Sequence, residues 1–136
     1  SGFDFSLSHS GNYAVCAYTE AGRVGVDIEY IDAGKASLRF AKRFFSRDEH
    51  DYLSKFDPNG NDLAAEFFKI WTAKEAFLKA LGDGLTGAVD DFTVALGAPE
   101  KPRMIQKRKK KNVSLRIRTF AEKEYVVFCA IKIVQI

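Results

Sequence analysis

The sequence predicts an α+β domain: a mostly antiparallel sheet packed with three helices, in the order β-hairpin, three helices, then strands. Two observations carry this reading. Strand-like runs collect at the two ends of the chain, at 13–19 and 24–30 and again over 125–136, while 37–81 shows helical periodicity and helix caps. Strands and helices therefore come in blocks; they do not alternate as in a parallel sheet. The length of 136 residues suits a single domain, 1–136, able to bury a sizeable core, and 46% apolar with 29% charged residues is a globular composition.

Taken in order, Phe3 to Leu7 reads as a short strand and Ser8-His9-Ser10-Gly11 as a small polar turn. The run Tyr13 to Thr19 and the run Val24 to Tyr30 flank a short turn, so the two are expected to pair as a hairpin. In the second of these, Gly25, Asp27 and Glu29 share one face. A helix is expected over about Ser37 to Phe45. Ser46-Arg47-Asp48-Glu49 is a capping-box sequence that starts another, to about Phe56. Asn61 or Asp62 is expected to cap a long helix, Leu63 to Leu81, closed by Gly82 or Gly84. On it Phe67, Ile70, Trp71, Lys74, Leu78 and Leu81 form one stripe, with Lys74 an anomaly in that stripe and Glu75 four residues from Lys79. Strands follow at Phe92 to Leu96 and Val113 to Thr119. The run 125–136, apolar on both faces, reads as a central strand.

Charge is unevenly spread. Residues 1–100 hold 10 basic and 16 acidic side chains, and 101–136 hold 11 and 2, much of that excess in Lys107-Arg108-Lys109-Lys110-Lys111. Such a run is either a solvated loop or a surface for a phosphate-rich ligand or acidic protein. No aromatic residues interleave with it, which disfavours nucleic-acid binding. No apolar run approaches the ~20 residues that cross a bilayer. The absence of a basic leader, together with Cys16 and Cys129 in apolar runs without a CxxC, points to buried reduced thiols and a cytoplasmic protein. The amino end lacks an initiator Met, as a processed chain or a fragment would.

Asp27 and Glu29, two apart on a strand, repel each other unless a cation lies between them or the face is simply solvated. Hard oxygen ligands on a rigid strand suit Mg²⁺, and Glu75 would join them if the long helix packs across the strand. Lys74 and Lys79 beside a metal make sense with an anion such as a pyrophosphate between them. Ser8, His9 and the Gly11 N–H are donors suited to phosphate oxygens. No arrangement around Ser8 or Ser10 suggests a serine triad.

Four motifs in order then carry a family resemblance: Phe5-Ser6-Leu7-Ser8-His9-Ser10-Gly11; Gly25-Val26-Asp27-Ile28-Glu29; Arg43-Phe44-Phe45-Ser46 with Glu49; and Trp71-Thr72-Ala73-Lys74-Glu75-Ala76-Phe77-Leu78-Lys79 followed by Gly82-Asp83-Gly84-Leu85. The chain resembles the 4'-phosphopantetheinyl transferase superfamily, of the surfactin-synthetase-activating (Sfp) type, and matches its second half. That resemblance implies transfer of the phosphopantetheine arm of coenzyme A to a serine of an acyl or peptidyl carrier protein, with release of 3',5'-ADP. It implies Mg²⁺ held by Asp27, Glu29 and Glu75, Glu75 as general base, Lys74 and Lys79 on the phosphates, and Ser8 and His9 at the coenzyme A phosphate. An acidic carrier protein would meet Arg39, Lys42, Arg43 and the basic segment, with Phe44 or Phe45 either an apolar contact or core. The family's upstream segment is not in this sequence, so an incomplete half-site, a carrier-binding module of the same fold, and a self-associating enzyme are the alternatives.

Overall fold

The computed structural model of the chain describes residues 2–82, 92–95, 103–106, 118–122 and 124–132. In order these form β1 (Asp4–Ser10), β2 (Tyr13–Thr19), β3 (Arg23–Tyr30), α1 (Leu38–Phe44), α2 (Arg47–Leu53), α3 (Asn61–Leu81), β4 (Phe92–Ala95), β5 (Arg103–Gln106), β6 (Arg118–Glu122) and β7 (Tyr125–Lys132). All described strand pairs are antiparallel. The α+β architecture with three helices is the one the sequence predicts. Expectations on Asp83, Gly84, Leu85, the lysine run and most of Val113 to Thr119 lie outside the described residues.

The main sheet has the order β3-β7-β6, so β7 is central, as its two-sided apolar pattern requires. Its Val126, Phe128 and Ala130 are buried, and α3 packs over them and over β3. Phe67, Phe68, Ile70, Ala73, Ala76 and Ala80 of α3 join this core with Phe45 and Leu53. Each large apolar side chain so buried contributes about 1.5–3 kcal/mol.

The helix signals act as their chemistry dictates. Ser37 caps α1 by accepting from the Phe40 N–H. Ser46 and Glu49 complete a reciprocal capping box at α2. α3 differs from expectation at its start: Gly60 occupies the cap position with no side-chain bond, and Asn61 and Asp62 lie inside the first turn. The preceding loop explains this, because Asp57 accepts from both the Asn59 and Gly60 N–H groups and winds the chain into the helix two residues early. At the other end Gly82 takes the left-handed cap, φ 76°, and its N–H satisfies the Leu78 and Lys79 carbonyls.

The hairpin corrects the sequence reading. β2 pairs with β1, from Asp4 opposite Thr19 to Ser10 opposite Tyr13, and not with β3. Ser8-His9-Ser10 is consequently the end of a strand, and the turn is Gly11-Asn12. The reason is a ladder of short side chains. Asp4, Ser6, Ser8 and Ser10, every second residue of β1, accept the backbone N–H groups of Val24, Val26, Ile28 and Tyr30 at 2.9–3.1 Å. These oxygens cover the β3 edge left open by β7, and only β1 has them at the right period. The thiols are corrected too: Cys16 is exposed on β2 and Cys129 is half-buried, and neither is in a disulfide. Among the described residues no helix is long and apolar enough to cross a membrane.

Candidate active site

The face of β3 that carries Gly25, Asp27 and Glu29 lies against α3, which removes the solvated-face alternative: Asp27 is only 5% exposed. Gly25 makes this approach possible. A Cβ there would stand 2.0 Å from the Ala76 carbonyl oxygen and 2.5 Å from the Ala80 nitrogen, both backbone atoms. Helix and strand thus touch backbone to backbone, one step along the strand from Asp27.

On α3 the residues facing Asp27 and Glu29 are spaced by four: Trp71, Glu75 and Lys79, all half-buried. The Trp71 indole N–H donates to Glu29. Lys79 Nζ donates to Asp27 Oδ1 at 3.2 Å and to the Val26 carbonyl at 2.9 Å, with the Leu7 carbonyl at 3.4 Å. Ser8 Oγ, while accepting from the Ile28 N–H, donates to the same Asp27 Oδ1 at 3.1 Å. One Asp27 oxygen is therefore held from two sides. The other, Oδ2, and Glu75 Oε1 are buried with no hydrogen-bond partner among the described residues.

Electrostatics agree with this crowding. Burial raises the carboxyls of Asp27, Glu29 and Glu75 above their ordinary values. For Glu29 the Asp27 charge adds to burial and pushes it up to about 7. For Asp27, Lys79 and Ser8 pull in the opposite direction without cancelling burial. For Glu75, Asp27 adds to burial and Lys79 opposes it. Desolvated carboxylates repelling one another, two with an unused buried oxygen, are donor chemistry that fits a hard divalent cation. As they stand, no three His, Cys, Asp or Glu side chains among the described residues form a closed ligand group. The three carboxylates adjoin without converging.

The remaining candidates separate. His9 is exposed on the β1 face opposite Ser8, so the two do not act together as a turn. Lys74 is a correction: its side chain is 0% exposed, with Nζ 2.6 Å from Glu49 Oε1 and 5.8 Å from the Phe45 ring centroid. It points away from Lys79, because five steps of about 100° leave the two about 140° apart around the helix axis, and the cluster facing β3 has one lysine among the described residues. Phe45 belongs to the core, while Phe44 is 39% exposed with the Arg43 guanidinium 5.1 Å above its ring. Trp71 and Ser8, as partners of Glu29 and Asp27, are roles that spacing alone did not assign. Trp71 stands four residues before Glu75, and that period was the available signal.

The family model of the 4'-phosphopantetheinyl transferase superfamily matches residues 23–130. The chain belongs to this superfamily. It is similar to the 4'-phosphopantetheinyl transferase HetI of Nostoc sp., 38% identical over 106 residues, which is 78% of this chain and 43% of that protein. It is also similar to Sfp of Bacillus subtilis, 40% identical over 93 residues, 68% of this chain and 39% of the relative. The chain thus spans about two-fifths of the length of these curated relatives. Among solved structures it shares the fold of a holo-(acyl-carrier-protein) synthase from Bacillus anthracis in complex with CoA (3',5'-ADP): TM-score 0.70, 21% identity, 85% of this chain and 98% of that one. The holo-ACP-synthase of Plasmodium yoelii gives TM-score 0.65 at 19% identity, over 85% and 97% of the two chains.

Proposed function

We propose that this chain carries the catalytic carboxylates of a Mg²⁺-dependent 4'-phosphopantetheinyl transferase, acting on coenzyme A and a serine of an acidic acyl or peptidyl carrier protein in the cytoplasm. The observation that supports this best is the cluster of Asp27, Glu29 and Glu75 with Lys79 between strand and helix, in a chain of this superfamily.

Asp27, through Oδ2, and Glu75, through Oε1, are the residues that would hold the cation, with Glu29 beside them. Bound there, Mg²⁺ would neutralise charge on the pyrophosphate of coenzyme A. Ser8 and Lys79 turn Asp27 so that its free oxygen faces the site. Lys79 supplies the positive charge at the phosphates, and His9 a donor from the exposed hairpin face. The carrier serine oxygen attacks the phosphorus bearing the pantetheine arm. The phosphorus–oxygen bond to 3',5'-ADP breaks, and the serine proton passes to Glu75 directly or through a water. Burial raises the Glu75 carboxyl above its ordinary value, which makes its carboxylate a better proton acceptor than an exposed one. The exposed Arg39, Lys42, Arg43 and Phe44 on and beside α1 are the surface for the acidic carrier.

The share of the relatives covered favours a second reading, that of a half-site or carrier-binding module needing a further wall or a second copy. One experiment separates them. The chain is incubated with coenzyme A, Mg²⁺ and an apo carrier protein, and the carrier is weighed by mass spectrometry. Transfer is expected, reduced about 10²–10⁴-fold by Glu75→Gln. Transfer untouched by that substitution sinks the role of Glu75. Carrier binding without transfer supports the second reading.

A further inference from the structure

Burial does not fix which way α3 is turned. The runs Thr72-Ala73-Lys74 and Ala76-Phe77-Leu78 are buried, so buried residues point in nearly every direction around the axis. Apolar burial spread so widely around a helix discriminates weakly between one rotation and another. Yet the site needs Trp71, Glu75 and Lys79 to face β3.

Besides the contacts that Lys79 makes within the site, a directional contact outside it is at Lys74, one residue before Glu75. Its ammonium meets Glu49, and both side chains are fully buried. The Glu49 carboxylate also accepts the Ser46 N–H at 2.8 Å through Oε1 and the Val94 N–H at 2.9 Å through Oε2. Ser46 Oγ in turn accepts from the Glu49 N–H at 3.2 Å and from Thr93 Oγ1 at 2.8 Å. One carboxylate thus ties the start of α2, the strand β4 and the middle of α3 together. Apolar side chains of the same volume could fill this space with similar stability. They could not specify an angle, because packing contacts lack the direction of a short charge-assisted hydrogen bond.

We infer that Glu49 is a positioning residue that acts through Lys74 to set the rotation of α3, and thereby holds Glu75 and Lys79 toward Asp27 and Glu29. This rests on the transferase reading above and adds to it a residue outside the site. With Lys74 fixed on the α2 side, the ~100° step between neighbouring residues turns Glu75 to β3.

The test is a Mg²⁺ titration followed by the emission of Trp71, the single tryptophan, which donates to Glu29. Thermal unfolding is measured alongside. Glu49→Gln alone is expected to lower stability, since it removes the carboxylate charge that meets the buried Lys74 ammonium. The paired variant Glu49→Met with Lys74→Met is expected to regain stability within a few degrees while Mg²⁺ affinity stays at least tenfold weaker. A folded paired variant that titrates like the natural chain overturns the proposal and leaves only a structural role. If the paired variant does not fold, the same titration on Glu49→Gln decides: unchanged Mg²⁺ affinity overturns the proposal, and a tenfold loss in folded protein supports it. A natural chain with no Mg²⁺ response overturns the metal reading of the site, and this proposal with it.

Discussion

Gly25→Ala is expected to loosen the joint between β3 and α3. The new Cβ would stand 2.0 Å from the Ala76 carbonyl oxygen, 2.5 Å from the Ala80 nitrogen and 2.8 Å from Lys79 Cβ. Carbon–oxygen contacts in proteins lie at about 3.3 Å or more, so relief needs a displacement of roughly 1.3 Å. Two of the three atoms are helix backbone and have no rotamer to change, so the whole of α3 must yield. Overpacking of this kind costs about 1–3 kcal/mol, and the rigid partners place it in the upper half of that range. A lowered unfolded-state entropy gives back only about 0.4–1 kcal/mol. The net expectation is a destabilisation of about 2 kcal/mol. The same displacement would stretch the 3.2 Å contact of Lys79 with Asp27 past ion-pair distance. Urea unfolding of the variant and the natural chain measures the first effect, and the Mg²⁺ titration of Trp71 emission measures the second. A midpoint shift worth less than about 0.5 kcal/mol, within the scatter of ordinary surface substitutions, refutes the close-approach argument.

Two further predictions concern charge and capping. Because the folded-state carboxyl of Glu29 is raised from 4.5 to about 7, the folded chain holds that proton more tightly than the unfolded chain. The associated stability is complete below about pH 4.5 and is lost as pH rises through 7; Asp27 and Glu75, also raised, act with the same sign. The loss is about 1–2 kcal/mol after the ~3 kcal/mol implied by the shift is discounted for solvent screening. Thermal unfolding from pH 5 to 8 should therefore show falling stability, with the fall reduced by saturating Mg²⁺, and a rise across that window would contradict the cluster. Ser46→Ala removes the α2 cap and leaves Thr93 Oγ1 without its acceptor. It should cost about 1–3 kcal/mol in chemical denaturation, and a neutral result would show that the capping box contributes little here.

The parts of the site that were legible in the sequence were those set by local period. A strand repeats every two residues, so Gly25, Asp27 and Glu29 had to share a face. A helix repeats every 3.6, so Glu75 and Lys79 had to align, whereas the same period placed Trp71 on the apolar stripe with Lys74 and left its place beside Glu29 unread. The capping box of Ser46 and Glu49 was readable because both of its bonds span three residues. Contacts set by packing between distant segments were not legible. The burial of Lys74 against Glu49 is hidden in the sequence because the two lie 25 positions apart and nothing local shows that the Glu49 side chain turns inward. Ser8 and His9 read as a turn because small polar residues favour turns. In the structure the alternation of a strand sends Ser8 to Asp27 and His9 to the opposite side. The pairing of β2 failed for a related reason: a short connection suggests a hairpin, but the N–H groups of β3 were already claimed by the serines of β1.

That serine ladder has a consequence for solubility. An open strand edge is a template on which other chains add strands, and proteins must blunt it. β3 is long, and Val24, Val26 and Ile28 are buried along it, which makes its edge an attractive one. The hydroxyls of Ser6, Ser8 and Ser10 and the carboxylate of Asp4 occupy its donors from the side and offer no backbone register for a further strand to extend. The same Ser8 that orients Asp27 is therefore also one of the side chains that cap the open edge of β3.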